Sequence, residues 1–217
     1  MRIQIFVQLK SGISYHRLIN PFSYMEKGDN EYIMSWVGMD EDKIDCDVLI
    51  FNKFLACLPS RLQQVQQQGT KIVVDVDDYW HLPEWHINYE HWEKSGQGRI
   101  IEDNIKLADL VICASMRIQE LVRPLNRNTI VIPNAFPFGQ ENYQPIPIAH
   151  EKLTFLYAGG STHLPDVKLL KGSFRMIGDS KNWKDCREQC EFLLAGYDPS
   201  KLLTRMPDGS TVEETVM

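Results

Sequence analysis

KIVVDVDDYWHLPEWH, residues 71–86, decides how the rest of the chain is read. Ile72, Val73, Val74 and Val76 form a short, β-branched apolar run of the kind a fully buried strand requires. Three carboxylates lie at its end, Asp75, Asp77 and Asp78, followed by Tyr79, Trp80, His81, Trp85 and His86. A strand that crosses a core and then emits acids, aromatics and imidazoles describes the carboxyl end of a central strand in an open α/β sheet. Ligands of such sheets bind in the crevice beyond those ends, where the strand order reverses. The end of this strand is therefore the expected active edge.

On either side the pattern repeats. Arg2–Gln8 alternates as a first strand, broken by Lys10, Ser11 and Gly12. Tyr15–Lys27 places Leu18, Phe22 and Met25 on one helical face, with Pro21 bending the helix or delaying its start. Tyr32–Val37, Asp47–Phe51, Leu110–Ala114 and Thr129–Ile132 read as further strands. Between them fall helices over Ala56–Gln68, over Asn88–Ala108 (weakened around Gly96 and Gly98), and from an N-cap at Ser115 to Leu125. Strands alternating with helices predict an α/β fold: a Rossmann-like parallel sheet over residues 1–133, with helices on both faces and right-handed crossovers.

Residues 134–150, NAFPFGQENYQPIPIAH, hold three prolines and no periodicity, which is the composition of a linker. The pattern then restarts with a strand at Leu153–Ala158, a tight Gly159-Gly160-Ser161 turn, a helix over Pro165–Ile177 and a strand at Glu191–Tyr197. The polar tail MPDGSTVEETVM is expected to fray. Residues 151–217 are short of a usual domain and read as an incomplete second Rossmann-like unit.

Composition is that of a globular protein, 43% hydrophobic and 24% charged. A net charge of −6 and a pI near 5.5 argue against nucleic acid or an anionic membrane as main partner. The five cysteines, Cys46, Cys57, Cys113, Cys186 and Cys190, show no zinc spacing and fit reduced thiols in a cytoplasmic protein. MRIQIFVQLKSG is too short and polar for a signal peptide, and no apolar run approaches the roughly 20 residues of a membrane span. His81, His86 and His91 are spaced by five, which gives no i, i+4 pair, so no metal is expected.

Strand alternation puts Asp75 and Asp77 on one face and Asp78 on the other. Close carboxylates raise one another's pKa and can share proton transfer or hydroxyl binding; a solvated strand end or a helix N-cap is the plainer alternative. Gly12 opens a turn toward a helix N-terminus, where backbone N–H groups meet anions and Arg17 can add a bidentate phosphate contact, unless this is a simple βα turn with a surface arginine. Gly159, Gly160 and Ser161 allow a diphosphate to approach the backbone, with Lys168 and Lys171 on a face that solvent alone would explain. The aromatics from Trp80 to Trp92 suit sugar stacking or, equally, a packed lid or partner surface.

Four segments together resemble the GT-B glycosyltransferases of the retaining group often called group 1. They are Gly12-Ile13-Ser14-Tyr15-His16-Arg17 with Pro21, VVDVDDYWHLP, the pair ADLVICAS (108–115) and TIVIPNAF (129–136), and LYAGGSTHLPDVKLL (156–170). The resemblance implies a cytoplasmic, metal-free enzyme of polysaccharide biosynthesis that moves a sugar from a nucleotide-diphosphate sugar to a glycan or glycoconjugate acceptor. It implies catalysis at Asp77 and Asp78, donor-phosphate binding at Gly12, Arg17, Gly159, Gly160 and Ser161, and acceptor binding at Tyr15, Trp80 and His81. Two departures stand out. Many members carry a histidine where Asp77 stands, and the family's Glu-x7-Glu element, which should lie well beyond residue 217, is missing from this sequence, so transfer by this chain alone does not follow from the resemblance. A hydrophobic strand ending in Asp-x-Asp also occurs in haloacid-dehalogenase-type phosphatases and GT-A enzymes; a non-catalytic glycan-binding or assembly module is a further alternative.

Overall fold

The computed structural model describes residues 1–8, 11–55, 59–86, 88–136, 139, 151–159, 169, 190–195, 201–205 and 211–215. The chain divides into two compact units, Met1–Leu82 with Trp92–Gln144, and Pro83–His91 with Pro145–Met217.

The first unit is a six-stranded parallel sheet of β1 (Arg2–Val7), β2 (Glu31–Trp36), β3 (Val48–Asn52), β4 (Lys71–Val76), β5 (Leu110–Cys113) and β6 (Thr129–Val131), ordered β2-β1-β3-β4-β5-β6. The predicted class, α/β and Rossmann-like, is the observed one. β4 is the buried strand its β-branched run requires, with Ile72 to Val76 all shielded from solvent. Alternation sorts its side chains. Ile72, Val74 and Val76 join Phe6, Leu49 and Phe51 in a core under α3 (Pro59–Gln67), α5 (Gln97–Leu107) and α6 (Met116–Val122). Val73 joins Ile3, Ile5, Val7 and Ile50 on the opposite face, under Leu18.

That opposite face is covered by a continuous helical stretch: α1 (Gly12–Ser14), a π turn (Tyr15–Ile19) and α2 (Asn20–Tyr24). It starts earlier than Pro21 led one to expect. Proline has no N–H to donate and its ring crowds the carbonyl four residues back. The chain meets this by widening one turn, in which the Asn20 N–H reaches back five residues to the Tyr15 carbonyl. Elsewhere the helix signals hold. Gly96, at φ +66°, separates α4 (Tyr89–Ser95) from α5, and the Ser115 hydroxyl caps α6 by accepting the Ile118 N–H.

In the second unit β7 (Leu153–Ala158) pairs in parallel with β8 (Cys190–Ala195). The helix expected over 165–177 lies outside the described residues except at Leu169. The tail expected to fray instead supplies β10 (Thr211–Thr215), antiparallel to β9 (Lys201–Arg205). No helix among the described residues is long and apolar enough to cross a membrane.

Candidate functional site

The strand order reverses between β1 and β3, one strand away from the edge that the acids alone suggested. The parallel register Val48↔Lys71 carries on to Asn52↔Asp75, so the residues ending β3 stand beside the acids ending β4. Two residues the sequence did not single out, Asn52 and Lys53, thereby organise the site.

Asn52 is buried, and its amide donates to Asp75 Oδ2 (2.9 Å) and Asp77 Oδ1 (3.0 Å). Lys53 Nζ pairs with Asp77 Oδ1 at 3.0 Å and also with Asp78 Oδ1. Asp77 and Asp78 were expected on opposite faces. They share one ammonium because extended structure stops at Val76 and the chain bends there, which ends the strict alternation. The Asp77 side chain is 13% exposed and that of Asp78 63%, so the pair runs from the protein wall into solvent. Burial acts to lower the Lys53 pKa, but Asp77 and Asp78 outweigh it and hold the ammonium above its ordinary range.

Lys53 itself is held in an unusual backbone. Its φ of +54° makes it the only non-glycine residue with positive φ among those described. The Phe54 N–H reaches the Asn52 carbonyl at 2.6 Å, closing a three-residue turn centred on Lys53. A side chain in this region costs about 1–3 kcal/mol. The turn is fixed from two sides, by the Lys53 N–H on the Asp75 carbonyl (2.9 Å) and the Asn104 amide on the Lys53 carbonyl (3.1 Å).

Arg17 and Asp75 form the inner part of the site. Arg17 Nη2 lies 2.5 Å from Asp75 Oδ1, and Nε donates to both carboxylate oxygens at 3.2 Å. Nη1 donates to the Ile132 carbonyl (2.7 Å) and Asn134 Oδ1 (3.1 Å). Both side chains are almost fully enclosed. Burial pushes the Asp75 carboxyl up, against the pull of Arg17 and Asn52, and the net direction is upward. The guanidinium expected to meet a phosphate is thus engaged inside the protein.

The aromatic residues separate in the same way. Trp80, expected at the acceptor, is 3% exposed and belongs to the core, with Trp92 Nε1 donating to its carbonyl at 2.8 Å. His81 is half-buried, and its Nε2 lies 2.9 Å from Glu102 Oε1. This contact, made by His81, holds the Glu102 carboxyl below its ordinary range. The ring rests against Gly98 so closely that a Cβ there would lie 2.7 Å from His81 Nδ1. Gly12 and Tyr15 are exposed beyond β1, and Tyr15 stacks edge-on against His16. In the second unit, Gly159 follows β7, while Gly160 and Ser161 lie outside the described residues.

Around the carboxyl edge of β3 and β4 the structure therefore brings together Asp75, Asp77, Asp78, Asn52, Lys53 and Arg17. Asp78 is the exposed member of this group, while Asp77 and Lys53 reach solvent only at their edges, 13% and 12% exposed. Carboxylates held beside an ammonium at a strand end can accept from hydroxyl groups and stabilise positive charge. Compared with models of known protein families and with curated proteins, the chain matches none.

Proposed function

We propose that this chain is a glycosyltransferase of GT-B type, acting on a nucleotide-diphosphate sugar and a glycan or glycoconjugate acceptor. The observation that supports it most is the Asp77–Lys53–Asp78 cluster at the carboxyl edge of a Rossmann-like sheet, which reaches solvent through Asp78. In this reading Asp77 and Asp78 face the reacting sugar, where they accept hydroxyl protons or offset charge at the anomeric carbon. Tyr15 and His81 remain candidates for the acceptor side. The donor phosphates are assigned to Gly12, Gly159, Gly160 and Ser161, and no metal is required, since backbone amides can carry the leaving charge. The place of action is the cytoplasm.

The phosphatase reading is the weaker one. It needs Asp75 open to a phosphoryl group, whereas Asp75 is 1% exposed and clamped by Arg17.

The test is release of UDP or GDP from a panel of nucleotide sugars, with and without chelator, by the chain and by any longer natural form of it. Release that survives chelation and disappears in Asp77→Asn, with the melting temperature nearly unchanged, is the expected result. Glycan binding without release from either form would leave a binding module in its place.

A further inference from the structure

Lys53 does more than its position in a turn requires. Glycine or asparagine tolerates a left-handed backbone at lower cost than lysine does. The turn around residue 53 is already secured by backbone groups and by Asn104, none of which uses the lysine side chain. What lysine adds is an ammonium delivered to Asp77 and Asp78 together. Strained residues of this kind gather where a side chain must be aimed.

The local charges point the same way. Of the three acids at the end of β4, Asp75 is matched by Arg17, whose Nη1 donates to Ile132 and Asn134. Asp77 and Asp78 are left to Lys53, with one amide bond from Asn52 to Asp77. Without the ammonium, two carboxylates adjacent in sequence would repel each other and turn apart.

We infer that Lys53 is a positioning residue: from a strained turn at the end of β3, its ammonium holds Asp77 and Asp78 side by side as one acceptor surface for the hydroxyl groups of a sugar. This rests on the glycosyltransferase reading for its substrate, but not for its geometry.

The decisive variant is Lys53→Gly, which removes the ammonium and the backbone strain together. The fold should survive, with a melting temperature within a few degrees of the parent, while nucleotide-sugar turnover falls on the order of 100-fold, as expected for a displaced catalytic group. Ethylammonium should restore part of the turnover; tetramethylammonium, equally charged but without N–H donors, should not. Parental turnover in Lys53→Gly, or a loss that neither cation relieves, would overturn the inference. Lys53→Asn, which also tolerates the left-handed region, carries the same test if the glycine variant does not fold. Carboxyl ¹³C spectra separate the two claims. The Asp77 and Asp78 signals should move in Lys53→Gly and return with ethylammonium even if the parent turns over no sugar nucleotide. Unmoved signals would refute the role of Lys53, whereas an inactive parent with moving signals would refute only glycosyl transfer.

Discussion

Arg17 and Asp75, 58 residues apart in sequence, meet at 2.5 Å with side chains 5% and 2% exposed. The pair joins the π turn on one face of the sheet to the end of β4, and through Ile132 it reaches the exit of β6. A charge enclosed to this degree is tolerable only while its partner is present.

Arg17→Met should therefore destabilise the first unit by about 3–5 kcal/mol, and Arg17→Met with Asp75→Leu should recover most of that loss. The deficit of the single variant should depend on pH. Asp75 already titrates above its ordinary range, and loss of Arg17 removes its main counterweight. A carboxyl raised in the folded state stabilises below its unfolded value, about 3.9, and loses that contribution as pH climbs through the folded one. Urea titrations should show the Arg17→Met deficit largest near neutrality and smallest in acid. A deficit independent of pH would exclude an uncompensated charge as its cause.

Asp109 offers the opposite sign. Its carboxylate accepts the Ile72 N–H at 2.9 Å, accepts from Gln66 at 3.0 Å and pairs with Lys71 at 2.9 Å. Burial acts to raise its pKa, but the Ile72 N–H, Gln66 and Lys71 together bring it below the ordinary value. Stability from this group is present above the unfolded value of about 3.9 and fades as pH falls through the lower, folded one. Asp109→Ala should cost about 1–3 kcal/mol at pH 7, because a backbone donor at the start of β4 loses its acceptor, and should leave a flatter acid limb in thermal melts.

Gly98→Ala tests the close contact beside His81. The added methyl would lie 2.7 Å from His81 Nδ1 and 2.8 Å from Cε1, so the imidazole must swing away and release Glu102. The ring is partly exposed and can turn toward solvent, so the loss should be about 1 kcal/mol, the net worth of an ordinary hydrogen bond. The His81 ring resonances should shift while those of buried Ile101 and Ile105 stay in place.

Cys113 is fully enclosed, and burial, aided by the charge of Asp75, pushes its thiol up to about 11. In a variant whose only cysteine is Cys113, modification by a disulfide reagent at pH 8 should be slow and limited by unfolding, because the thiolate is the reactive form. Rapid labelling of the native protein would contradict the burial of β5.

The strands were legible because β-branched runs between turn signals leave little choice of structure, and β4 is the clearest instance. The site was legible only in part. Asp77 and Asp78 announce themselves, but nothing in Asn52-Lys53-Phe54 signals a left-handed turn; a parallel register that aligns the ends of β3 and β4 was the one available clue. Arg17 followed by a proline motif looks like a phosphate ligand until its buried partner is known. Trp80 illustrates a different limit. An aromatic after a strand end can close a core or line a pocket, and local spacing does not distinguish the two.

The all-parallel sheet also governs how fast the first unit can assemble. Among the described residues no neighbouring strands of that sheet are joined by a hairpin, and β1 must wait for β3 to arrive from beyond the whole of β2. Each pairing closes a long crossover before it gains any contact, which places such folds toward the slow end of single-domain kinetics. Stopped-flow refolding should accordingly run well behind that of a helical bundle of equal size, with early exposure of the apolar run at 72–76 as its aggregation hazard.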